Sequence, residues 1–314
     1  MNGHVVTATD LVAAARKVDW ADPRPTGLSD AADTRTKALL DGFIHESGPP
    51  PERFAWVALG SHARRELHCA SDQDHALFWA SDQAAASTYA QDLAAVVIDG
   101  LAEFGMRRCD GGYMADRWSY SLSRWQDILR ERVAAPTPDA VVDADVFLDL
   151  RVLAGDLDVG PAVAELADGA DSPRLMHGLA QAANSFPSPL HAFGRLPRGP
   201  IDLKKSGLAP IVLLARLYGL RARSEAVGTD QRLADAAAAG VLSDELTARL
   251  RDGYGLLTRL RLQHQLQQIN ARQYVTDRVD PEHVEASDAE GLREAFRAIK
   301  SAQSVTSVAF RTDL

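Results

Sequence analysis

The chain has 314 residues, a formal net charge of −9, 46% hydrophobic residues and 25% charged residues, enough apolar material for a sizeable core and room for two domains of the usual ~100–200 residues. The acidic balance disfavours general binding to DNA or RNA, and no apolar run reaches the roughly 20 residues that span a bilayer, so neither a nucleic acid nor a membrane is an expected partner. Two cysteines, Cys69 and Cys109, make no disulfide framework, and the N-terminus lacks the basic start and apolar core of a signal peptide; both features fit the cytoplasm.

Abundant Ala and Leu lean the chain toward helix. Asp10 to Trp20 reads as a short helix, and a second helix follows Asp30 until the prolines at 49–51 end it. Phe54 to Gly60 is a short apolar run stopped by glycine, the pattern of a buried strand, with a short helix expected from Ser61. HALFWA reads as a second strand, Ala84 to Phe104 as a long helix, CDGGY as a turn, SLSRWQDILRERV as an amphipathic helix and Val146 to Leu153 as a third strand. Beyond about residue 158 strand signals disappear, and helical patterns run to the end, with Pro210 expected to kink or restart its helix. These patterns predict an α+β fold followed by an all-α helical bundle. The corresponding domains are N-terminal helices over 1–50, a small mixed sheet with helices over 51–160, and helices over 161–314.

The chemistry concentrates in WVALGSHARRELHCASDQDHALFW. A strand ends at Gly60-Ser61 and a helix begins there. Glycine lets the backbone approach a ligand, free N–H groups at a helix start favour an anion, and the Ser61 hydroxyl can add a hydrogen bond to a phosphate oxygen. Arg64 and Arg65 can supply positive charge. Asp72 and Asp74 stand at i and i+2, which face one side in an extended chain. Two ionised carboxylates so close want a cation, and Mg2+ (with Mn2+ as the alternate) suits one or two carboxylates together with phosphate oxygens. Asp149 offers a third carboxylate on its strand, with Arg151 on the same face, to complete the metal site and act as a base. Gly-Ser alone is a turn signal and Asp-x-Asp alone is common in solvated turns; the order strand, GS, helix, turn, DxD, strand makes the signal specific. His62, His68 and His75 surround the motif but lack the spacing of a zinc site, so they read as satisfied surface or supporting histidines, and Cys69 reads as packing. Lys204 and Lys205, adjacent near the start of an apolar helix, read as a solvated edge or as point charges toward a triphosphate, with Asp202 capping that helix.

These residues resemble the nucleotidyltransferase motif of the DNA-polymerase-β-like superfamily. More narrowly, the chain is similar to a bacterial family of nucleotidyltransferases related to PII uridylyltransferase, with its G-S-x-x-R-x-E segment followed by [ST]-D-Q-D-[NH]-A-L. Here that pattern is Gly60-Ser61, Arg64, Glu66, then Ser71 to Leu77. CDGGYMADRW, DVFLDLRVLAGD, DLKKSGLAPIVLLARLYGL and LREAFRAIKSAQ extend the likeness over about residues 30–310. The resemblance implies a polymerase-β-like nucleotidyltransferase domain followed by a helical substrate-binding domain. It implies an NTP substrate, a catalytic and metal trio of Asp72, Asp74 and Asp149, and nucleotide contacts from Gly60, Ser61, Arg64, Arg65, Gln73, Arg151, Lys204 and Lys205. Relatives often carry cyclic-nucleotide-binding and CBS domains ahead of this core, whereas about 50 residues precede the first strand here.

The function this implies is Mg2+-dependent transfer of UMP or AMP from an NTP to a hydroxyl of a protein acceptor. One alternative is a nucleotide-responsive signalling or binding module with little or no catalysis; another is a transferase acting on a small molecule. A homodimer is a further possible partner state.

Overall fold

Six consecutive apolar residues can be buried on both faces only in the middle of a sheet, and Phe54–Leu59 (β1) is the fully buried central strand. In the computed structural model, which describes residues 4–5, 10–18 and 26–312, β1 pairs antiparallel on one side with His75–Trp79 (β2) and on the other with Leu150–Gly155 (β4). Ser119–Ser121 (β3) runs parallel to β2 and completes the sheet order β3-β2-β1-β4. Helices Thr26–Ser47 (α1) and Thr88–Phe104 (α2) pack on each other. Leu122–Ala134 (α3) and Pro138–Phe147 (α4) follow β3.

The chain divides into two compact units, one holding residues 10–18 and 26–168, the other residues 4–5 and 169–312. The second unit is built on helices Pro173–Asn184 (α5), Ala209–Arg221 (α6), Thr229–Ala238 (α7), Asp244–Asn270 (α8) and Ala286–Phe310 (α9). Two small antiparallel pairs, His4–Val5 with Tyr274–Val275 and Ile201–Asp202 with Arg278–Val279, trim it. The fold is thus α+β with a small mixed sheet, followed by helices, as the sequence implied.

Several boundaries differ from the sequence reading. The first helix is Asp10–Ala15, while Trp20 lies outside the described residues. α1 starts at Thr26 rather than after Asp30. The expected Ala84–Phe104 helix is two, Asp82–Ala85 and α2, because Ser87 caps the second by accepting from the Ala90 N–H at 3.2 Å. The expected strand over Val146–Leu153 is wrong at its start. Thr137 caps a helix with proline at its first turn, and that helix carries Val146 and Phe147, so the strand begins at Leu150. Short strands were missed after residue 158 because two-residue pairings leave no periodicity to read. Pro210 does restart its helix: Lys204–Leu208 is a π turn, and α6 follows from Ala209.

The core beside the sheet is aromatic. Trp125 of α3 is fully buried, stacks on Phe78 at 4.5 Å between centroids and donates its indole N–H to the Leu77 carbonyl at 3.1 Å. Trp118 and Phe147 also lie against it, at 5.7 and 5.1 Å. Trp125→Ala removes this packing and one hydrogen bond to the Leu77 carbonyl, so it is expected to cost about 3–5 kcal/mol in urea unfolding, with Trp125→Phe costing less.

Candidate active site around Gly60 and the Asp72–Asp74 pair

The stretch Ser71–His75 alternates buried and half-exposed residues, and the alternation explains its composition. The inward residues are pinned. Gln73 is fully buried, donating its amide to the Ile98 and Met106 carbonyls at 3.1 and 3.2 Å and accepting from His75 Nε2 at 3.1 Å. His75 Nδ1 accepts the Ala115 N–H at 3.0 Å, which ties the loop after Cys109 to β2. The half-exposed residues are the carboxylates. Asp72 pairs with Arg107 at 2.7 Å, across a parallel two-residue pairing of 72–73 with 107–108. Asp74 accepts the Cys109 thiol proton; burial, then the charge and hydrogen bond of Asp74, push that thiol up to about 11, so it is a neutral donor rather than a nucleophile.

Gly60 closes β1 with φ +53, in the left-handed region, and a Cβ built there would lie 3.0 Å from an Asp74 carboxylate oxygen. Only glycine fits both constraints. The register also sets Asp74 and Asp149 on opposite flanks of β1: Leu59 donates to the Asp74 carbonyl at 2.9 Å and pairs with Leu150. The helix expected from Ser61 is a single turn, Gly60–Ala63, without a side-chain cap. Ser61 itself is half-buried at the start of that turn.

The turn is held from below by Asp33, a residue the sequence reading did not single out. Its carboxylate accepts from His62 Nε2 at 2.8 Å and from both guanidinium nitrogens of Arg151 at 2.9 Å, with Arg65 at 3.3 Å. Burial pushes the carboxyl upward, but the hydrogen bonds from His62 and Arg151 outweigh it and hold Asp33 well below the ordinary carboxylate range. Arg151 also donates to the Ala63 and His62 carbonyls, each at 3.0 Å. Arg151 therefore clamps the turn to α1, and Arg65 pairs with Asp30 as well as Asp33. Asp33 left no local signal because its partners lie about 30 and 118 residues away.

Asp149 stands just before β4 rather than on it and is fully buried. It is ion-paired with Arg64, whose Nε also donates to Glu66 at 2.6 Å. Arg64 is thereby neutralised inside the protein by two carboxylates. Among the described residues no three His, Cys, Asp or Glu side chains form a group that could hold a metal ion. The two half-exposed aspartates offer hard oxygen donors that fit a magnesium ion completed by phosphate oxygens. The histidines are not surface groups: His62, His68 and His75 are 2%, 3% and 1% exposed. Cys69 is buried. Lys204 and Lys205 are exposed in the helical unit at the π turn, where Asp202 accepts the Lys205 N–H at 2.9 Å. No helix among the described residues is long and apolar enough to cross a membrane.

Two measurements check this anatomy. Gly60→Ala forces a left-handed alanine against Asp74, and an expected loss of about 1–3 kcal/mol is read by thermal unfolding. Burial pushes His75 down to about 3, with the charge of His62 adding to the effect. The unfolded imidazole takes a proton near pH 6.5 and the folded one does not, so stability falls as pH drops from about 6.5 toward 3, by up to roughly 1.4 kcal/mol per pH unit. His75→Asn, whose amide oxygen can still accept the Ala115 N–H, is expected to flatten that slope by about one proton in urea titrations at pH 4 to 7; equal slopes would contradict a neutral buried His75.

Residues 11–139 match a family described as "Putative nucleotidyltransferase DUF294", and residues 173–310 match one described as "Putative nucleotidyltransferase substrate binding domain". No curated protein matches the chain. The two matches together cover most of the chain, which therefore belongs to the nucleotidyltransferase family that pairs these two domains.

Proposed function

We propose that the chain transfers a nucleoside monophosphate, UMP or AMP, from an NTP to a hydroxyl of a protein acceptor, with the chemistry centred on Gly60, Asp72 and Asp74. The observation that carries this reading is the closeness of Gly60 to Asp74, with no room for a side chain between them, which sets backbone and a metal-capable carboxylate side by side at the end of the central strand. The uncapped turn Gly60–Ala63 supports phosphate binding there, with the Ser61 hydroxyl beside it. Magnesium bound by Asp72 and Asp74 would neutralise the triphosphate and favour departure of pyrophosphate.

The protein's own residues define the rest. Gln73 and His75 fix the backbone from which both aspartates project. Cys109 and Arg107 orient the two carboxylates. Arg151 and Arg65 act on the turn through Asp33, a positioning role rather than phosphate contact. Lys204 and Lys205, exposed in the unit matching a substrate-binding domain, are available as point charges for an anionic substrate.

One observation favours a second reading, a nucleotide-responsive module with little or no catalysis. Asp149 is fully buried and ion-paired with Arg64, which engages that carboxylate inside the protein.

Intact-protein mass spectrometry of extract proteins incubated with the chain, Mg2+ and each NTP separates these readings. The expected result is a nucleotide adduct on an extract protein, reduced at least about a hundredfold by Asp72→Ala with Asp74→Ala. Adducts that persist in the double variant overturn the site. Label on a small molecule overturns the protein acceptor, and nucleotide binding without pyrophosphate release in the presence of extract supports the module.

A further inference from the structure

The loop HAFGRLPRGP, between α5 and α6, combines features that folding alone does not explain. Phe193 has φ 62 and ψ 22, a left-handed conformation costly for a bulky residue, yet the residue is 94% exposed. The strain gains no burial in return. The conformation is fixed by its neighbours: Gly194 donates to the His191 carbonyl at 3.1 Å, and His191 donates to the Arg195 carbonyl at 2.9 Å. Gly194, at φ +70, lies so close to Arg297 that a Cβ there would sit 3.0 Å from its guanidinium.

This loop, the Pro281–His283 turn and the start of α9 line an open cavity of about 380 Å³ within the helical unit, a size in the range of small-molecule sites (~300–1,000 Å³). Four arginines line it, Arg195, Arg198, Arg293 and Arg297, against one carboxylate, Glu282. Glu290 and Glu294 hold the two arginines of α9: Arg293 pairs with Glu290 at 2.6 Å, and Arg297 pairs with Glu294. Arg195 and Arg198 are exposed and make no ion pair among the described residues. In a chain of net charge −9, two uncompensated arginines facing one cavity are a local reversal of sign.

We propose that this cavity binds an organic phosphate carrying a planar ring, a ligand of the nucleotide class. The arginine forks suit phosphate oxygens, and the exposed phenyl ring offers a stacking face at the rim. The site requires no catalysis, so it stands whether or not transfer occurs at Asp72 and Asp74. The same chemistry fits a nucleotide that is consumed and one that acts as an effector.

The test is calorimetric binding of UTP, ATP and inorganic tripolyphosphate to the full chain in EDTA. Four proteins are compared: wild type, Arg195→Ala with Arg198→Ala, Phe193→Ala, and Asp72→Ala with Asp74→Ala. The arginine variant is expected to weaken nucleotide and tripolyphosphate alike by about tenfold or more. Phe193→Ala is expected to weaken nucleotide by about fivefold or more and leave tripolyphosphate unchanged. The aspartate variant is expected to keep this binding; its loss there alone, unchanged affinity in the arginine and phenylalanine variants, or no binding to wild type at millimolar ligand overturns the proposal. Phe193, Arg195 and Arg198 are exposed, so circular dichroism of their variants is expected to match wild type. If the cavity binds nucleotide and the fraction transferred from each NTP is zero, the transferase reading has failed and this one has not; transfer that continues after cavity binding is abolished marks the ligand as an effector.

Discussion

A single carboxylate organises the candidate site. Asp33, on the buried side of α1, receives His62, Arg151 and Arg65 at once. Through Arg151 it reaches β4, and through His62 and Arg65 it reaches the turn that follows β1. Charged hydrogen bonds in a half-buried setting are stronger and more directional than neutral ones, so this hub fixes a turn that four residues could not hold by themselves. The strength of the hub shows in the Asp33 carboxyl, held ionised against the burial that would neutralise it.

Around that turn, each motif residue has a different physical task. Gln73 and His75 are as close to the chemistry in sequence as the aspartates they separate, but they face inward and saturate buried backbone groups. Asp72 and Asp74 face outward and meet Arg107 and Cys109. The alternation of an extended chain sorts anchors from reactants without any further device. Arg64 and Asp149 form a buried ion group with Glu66, in which opposite charges offset one another inside the fold.

The helical unit adds a different kind of surface. Its core helices are joined by a loop that exposes an aromatic ring under backbone strain and leaves two arginines facing a cavity. Such strain persists where surrounding contacts over-determine it, here the packing of Gly194 on Arg297 and the hydrogen bonds that close the loop.

The sequence by itself determined the elements whose signal is local. The apolar run of β1, the glycine that stops it, the Asp-x-Asp spacing and the long helices of the second half all depend on neighbours within a few residues, and the family likeness rests on the same local patterns. Tertiary structure decided the partners. Asp33 meets Arg151 from 118 residues away, and Asp149 meets Arg64 from 85. A side chain's charge is legible in sequence, but whether it is spent on a buried neighbour or kept for a ligand depends on which distant element folds against it. For Arg64, Arg65, Gln73 and Arg151 the fold supplied those neighbours; for Arg195 and Arg198 it did not.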